Sequence, residues 1–201
     1  MSTKRRPSPG HEDILDAAEL LMARKGIDST SIADICRASG LPVGSIYWHF
    51  SSKAGLIAAV MARGAERFFD GLPHPGSFSG DADECFRQWF DANTRLIERR
   101  PDFLRLHLSL CLLDESEGSV RETTLRVRSV AIERLSSAIT PWLSNKGVPN
   151  AAEHGLDLAD TMLSAVDGAF IADLLGVSKF SELMSSFYSL LCARAVELTA
   201  S

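Results

Sequence analysis

Three rings with polar edges stand in a row at Tyr47, Trp48 and His49, and an ammonium follows at Lys53. Phenol, indole, imidazole and ammonium all donate hydrogen bonds, and such a cluster suits phosphate oxygens. The residues just before them, Pro42, Val43, Gly44 and Ser45, are small, so a backbone built from them can approach base edges in a major groove. The stretch Leu41–Lys53 is too short to bury three rings on one face. Leu41, Ile46 and Phe50 supply its apolar share, which leaves the rings outside as a phosphate clamp. Thr30 and Ser31 sit where a preceding helix would begin. They read either as further phosphate donors or as helix caps, and the two roles are compatible. Lys4, Arg5 and Arg6 form a basic arm suited to a minor groove or to phosphates, and read equally as a solvated tail.

A second kind of chemistry lies further along. Trp89 and Asn93 share one apolar helical face, His107 falls near Phe103 and Cys111 on another, and Asp167 neighbours Phe170 on a third. Few polar groups in an aromatic, apolar interior are what a small-molecule site needs, although Asn93 and His107 also read as hydrogen-bonded core residues. His107 and Cys111, four apart, are two potential metal ligands without an accompanying carboxylate, so no metal or cofactor is expected. GxSxG, HExxH and phosphate-binding glycine loops are all missing from the chain, and no enzyme is expected.

The elements that must hold these residues are helical. Apolar positions recur at helical spacing almost throughout the 201 residues, and no alternating strand pattern is found. The fold predicted is all-α, with about nine helices: a three-helix N-terminal unit over residues 1–52 and a helical body over 53–201. Predicted helices run over 12–25, from 30 or 31 to about 38, from 42 to about 49, then 53–69, 82–99, 102–113, 119–142, 152–175 and 178–198. Pro101, Pro141 and Pro149 are placed at their ends. Gly40 provides the positive φ of a tight turn between two short helices, which is the helix-turn-helix pattern. Residues 1–67 hold nine Lys/Arg against seven Asp/Glu, so the acidic excess behind the overall charge of −5 lies in the remainder. Four scattered cysteines, no secretion signal and no apolar run of membrane-spanning length predict a reduced, cytoplasmic protein.

At residues 44–56 the chain resembles a known family. GSIYWHFSSKAGL, with TSIADICRASGLP upstream, is similar to the signature of the TetR family of bacterial transcriptional regulators. Pro42 departs from it, standing where the family often has a capping Ser, and Val43 is apolar where many members carry Lys or Arg. A thymine methyl contact is therefore favoured over a charged guanine contact at Val43.

The resemblance implies a homodimer that binds a near-palindromic double-stranded operator, usually as a repressor released by a small molecule. The interior read above makes that effector largely hydrophobic. It further implies a four-helix dimer interface. Ser164, Gly168 and Ala172 form a small-residue stripe for it, and Leu183, Phe187 and Leu191 act as knobs. A tightly packed intrachain helix pair would use the same small residues. The alternative function is a dimeric ligand-sensing scaffold that acts through a protein partner without reading DNA.

Overall fold

A computed structural model of the protein describes residues 9–112 and 118–200. Among the described residues there are nine α-helices, one short 3₁₀ turn and no strand. The helices are α1 (Pro9–Lys25), α2 (Ile32–Ser39), α3 (Val43–Phe50), α4 (Lys53–Gly71), α5 (Ala82–Arg99), α6 (Asp102–Cys111), α7 (Gly118–Asn145), α8 (Ala151–Leu174) and α9 (Phe180–Thr199), with the 3₁₀ turn at Pro75–Ser77. None of these helices is long and apolar enough to cross a membrane.

Two compact units result. The first combines Met1–Phe68 with Arg105–Arg126, and the second combines Phe69–Leu104 with Val127–Ser201. In the first, α1, α2 and α3 pack mutually around Ile14, Ala18, Ile35 and Ile46, all fully buried, with Leu56 and Val60 of α4 equally so. Each of these Ile, Leu and Val side chains contributes about 1.5–3 kcal/mol of transfer free energy. In the second, α8 packs on α9 and α9 on α5. Its core includes Phe90, Ile139, Leu143, Phe180 and Met184.

Two helices differ from the sequence expectation for local reasons. α1 starts at Pro9, a turn earlier than Glu12, because proline is compatible with a helix's first turn, where its amide would have no partner. Pro141 is not at the end of α7 but inside it, with the helix continuing to Asn145.

Candidate nucleic-acid interface

The local sequence builds the first unit's reading surface in steps. Ser31 opens α2 with a reciprocal cap: its Oγ accepts from the Asp34 amide at 3.1 Å, and the Asp34 carboxylate accepts from the Ser31 amide at 3.3 Å. Bonds from the Ser31 hydroxyl and amide, with Lys25 and Arg37 nearby, hold the Asp34 carboxyl below the usual carboxylate range. Gly40 ends α2 with φ +71°, its amide donating to the Cys36 carbonyl, and so turns the chain towards α3. Pro42 is the residue before α3, extended at φ −69° and ψ 155°, with no side-chain cap. The expectation that it forms the helix's first residue is corrected by one position, since its ring suits an extended N-cap as well.

α3 divides its side chains sharply. Ile46 is fully buried and Phe50 nearly so, whereas Val43 is 51% exposed, Tyr47 50% and Trp48 78%. Gly44 is exposed, with open space where a side chain would stand, and Ser45 is half-buried beside it. His49 is half-buried and meets three rings: Trp48 edge-on at 4.5 Å, His11 at 5.5 Å and Phe50 at 5.9 Å. His11, from the first turn of α1, also lies 4.8 Å from Phe50. Lys53 is half-buried at the first position of α4, where Ser52 caps the helix by accepting from the Gly55 amide at 2.9 Å.

The structure separates Thr30 from this surface. It is fully buried, and its hydroxyl donates to the Gly26 carbonyl at 2.7 Å, so it braces the α1–α2 turn and offers nothing to solvent. Ser31 is exposed, but its hydroxyl also donates to the Asp34 carboxylate at 2.9 Å. Lys4, Arg5 and Arg6 lie outside the described residues.

Three contributors escaped the sequence reading. Gly55 is one: a Cβ there would land on the Phe50 carbonyl oxygen, so only glycine permits the tight α3–α4 approach. Gly10 is a milder case: a Cβ there would stand 3.3 Å from the end of the Leu41 side chain and in ordinary contact with the His49 ring. Arg63 is the third, and its carboxylate partners are four and three residues apart along one face of α1. It pairs with Glu12 at 3.0 Å, Asp16 at 2.8 Å and Glu19 at 2.5 Å, while Arg67 adds a bond to Glu19 at 3.1 Å. Burial opposes the Arg63 charge, but the bonds to Glu19 and Glu12 outweigh it and raise its pKa above the usual value. These two arginines tie α4 to α1. The cations that α1–α4 leave for phosphates are Arg24, Lys25, Arg37 and Lys53, two of which share Asp34.

The candidate effector residues divide between the units. His107 and Cys111 belong to the first unit, with His107 buried and its Nε2 3.7 Å from the Cys111 sulfur. Trp89, Asn93, Phe103, Asp167 and Phe170 belong to the second. There Trp89 donates to the Pro73 carbonyl at 3.2 Å, and Asn93, buried one turn on, donates to the Trp89 carbonyl at 2.8 Å. Phe170 is buried and Phe103 meets the Phe69 ring at 6.1 Å. Asp167 is not a lone carboxylate, because the Arg128 guanidinium donates to it at 2.6 Å. Among the described residues no group of three His, Cys, Asp or Glu is arranged to hold a metal.

On the candidate dimer face, Ser164 and Gly168 are exposed and Ala172 is half-buried. A Cβ at Gly168 would meet nothing within 4 Å, so no described helix of this chain uses the stripe there. Leu183 and Phe187 are half-buried, but Leu191 is buried in its own chain, and Leu190 (66% exposed) takes the outward position.

Comparison with known proteins places this geometry. Residues 14–60 match the profile of the family described as bacterial regulatory proteins, tetR family. The chain is 31% identical over 87 residues to the HTH-type transcriptional regulator AcrR of Shigella flexneri, covering 43% of this chain and 40% of that one. It is 37% identical over 59 residues to the HTH-type transcriptional regulator TtgR of Pseudomonas putida, covering 29% and 28%. The matched segments thus span well under half of these relatives. The crystal structure of a TetR transcriptional regulator from Legionella pneumophila superposes with a TM-score of 0.65 at 26% identity, covering 92% of this chain and 98% of that one. Nine helices among the described residues, a capped helix-turn-helix and the profile match converge: residues 14–60 carry the segment that defines the tetR family of bacterial regulatory proteins, and the described chain has the fold of the TetR transcriptional regulator on which it superposes.

Proposed function

We propose that the protein is a cytoplasmic, dimeric repressor that binds a near-palindromic operator through α3 and leaves it when a small, largely hydrophobic effector binds. In this reading residues 1–52 are the reading head and 53–201 the effector-binding and dimerisation body. The observation that carries it is the division of α3: Ile46 and Phe50 anchor the helix, while Val43, Tyr47 and Trp48 stand exposed beside a backbone opened by Gly44. A helix held by one face, with small residues at its start and donors on its flanks, fits a major groove. The dimer is supported by the unfilled space at Gly168 on α8, by Ile171 and Leu174 exposed further along that helix, and by Leu190 exposed on α9. The effector reading draws on the second unit's aromatic interior around Trp89, Asn93 and Phe170, whose polar groups already bond within the chain.

For release, the effector must bind the DNA-free state more tightly, a coupling of about 1–3 kcal/mol in typical cases. The test is fluorescence anisotropy on a panel of duplexes selected from genomic fragments. His49→Ala and Lys53→Ala should weaken all duplexes alike, whereas Ser45 substitutions should reorder them. Reversal of those two patterns would contradict the proposed roles, and the absence of any duplex preference in the parent protein would contradict the function.

A further inference from the structure

Two imidazole rings from different helices meet beside the reading surface. His49, near the end of α3, touches three rings, of which Trp48 and Phe50 are its own chain neighbours. His11, in the first turn of α1, is the one ring from outside α3 among the described residues, edge-on at 5.5 Å and 78°. Gly10 extends that wall: a Cβ there would stand 3.7 Å from His49 Nε2, so this edge of the imidazole is turned towards α1.

The outer torsion of a histidine is broad and roughly two-fold, so a half-buried imidazole keeps one orientation only where its neighbours hold it. Trp48 is a poor holder. It is 78% exposed, and among the described residues its ring meets only that of His49. His11 is a better one, because it is anchored in turn. Its ring lies 4.8 Å from that of Phe50, tilted by 31°, and Phe50 is buried in the three-helix core. Its Nδ1 is closed to solvent and stands 3.4 Å from one oxygen of Glu12, without forming a hydrogen bond. The other Glu12 oxygen accepts from Arg63 of α4 at 3.0 Å. A ring fixed in this way before binding spares the ordering that a loose side chain must undergo when it meets its partner.

We propose that His11 is a positioning residue for DNA binding: it acts through His49, holding that imidazole in the orientation that meets a phosphate. The effect on DNA rests on the reading of His49 as a phosphate donor; the hold of one ring on the other does not.

The test is a double-mutant cycle on duplex affinity, read by anisotropy with the tightest-binding duplex of the panel above. His11→Ala should weaken binding about tenfold over the two half-sites of a dimer, since both His49 rings must then be ordered on binding. His11→Phe, which keeps a ring against His49 and Phe50, should stay within about threefold of the parent. In a His49→Ala background His11→Ala should change affinity by less than about twofold, because the residue it acts through is gone. A second readout needs no DNA. The order parameter of the His49 ring, from ¹³C relaxation of the free chain, should fall in His11→Ala and hold in His11→Phe.

An equal loss from His11→Ala with or without His49 would overturn the proposal, since His11 would then brace the whole helix or meet DNA itself. Failure of His11→Phe to restore affinity, or an unchanged His49 ring order in His11→Ala, would overturn it as well. The reading of His49 fails separately: if His49→Ala binds duplex as tightly as the parent, the phosphate role and the effect on DNA fall together. A drop in His49 ring order in His11→Ala would still uphold the hold of one ring on the other.

Discussion

Two adjacent residues of α3 should answer to different assays. Ile46 is fully buried, and Tyr47, next to it, is 50% exposed. Ile46→Ala removes three carbons from the three-helix core, about 2.5 kcal/mol in transfer free energy, and the cavity left behind brings the total to about 3–4 kcal/mol. Tyr47→Ala removes a ring that is half in solvent and should cost less than about 1 kcal/mol of stability. Its effect falls on DNA: one phosphate hydrogen bond per subunit, about 1.5 kcal/mol each, amounts to about a hundredfold for a symmetric dimer. Urea unfolding followed by circular dichroism reads the first quantity, and anisotropy on a selected duplex reads the second. For Ile46→Ala the midpoint should drop steeply; for Tyr47→Ala it should barely move while affinity collapses. If Tyr47→Ala unfolds as early as Ile46→Ala, or binds DNA as tightly as the parent, the division of labour on α3 is wrong.

Three further outcomes follow from the geometry. Gly55→Ala should destabilise the protein by about 1–3 kcal/mol, because the new Cβ meets the Phe50 carbonyl, although helix propensity alone would stabilise it by about 1 kcal/mol; thermal unfolding gives the sign. Gly168→Leu should leave the melting curve of the single chain intact or slightly raised, since its Cβ has open space, yet shift the mass by light scattering from dimer to monomer. Asp83 is held below 3.8 by the Lys146 ammonium and then the Trp142 N–H, with burial opposing, so its contribution is whole above that value and fades as pH falls through the lower folded one. Melting temperature should therefore fall below about pH 4, and Asp83→Asn should flatten part of that acid limb.

Much of the head was legible because its signals are local. The Ser31–Asp34 cap, the Gly40 turn and the small residues before Tyr47 each act within four residues, and each stands where expected. What escaped depends on partners distant in sequence, or on which neighbour wins a place. Thr30 and Ser31 have interchangeable chemistry as caps, and only packing buries one of them. Leu190 and Leu191 fit the same helical stripe, and the register against α5 and α8 decides which turns inward. Asp167 and Arg128, and Arg63 with its three α1 carboxylates, are pairs across separate helices that no spacing rule encodes. Pro141 was placed at a helix end because proline usually breaks helices, and its position inside α7 is a tertiary override of that preference.

The central claim is that α3's exposed rings and the neighbouring cations meet a phosphate backbone, and its most direct measure is the salt dependence of duplex affinity. With Arg63 and Arg67 tied to α1, two to four cations per head remain for phosphates in the described part, and the dimer should give a slope of log K against log[salt] of about −4 to −7. A slope in that range, made shallower by Lys53→Ala, is the predicted result. Duplex affinity that stays flat with salt, or is absent at low salt, would contradict the account and favour a scaffold that works through a protein partner.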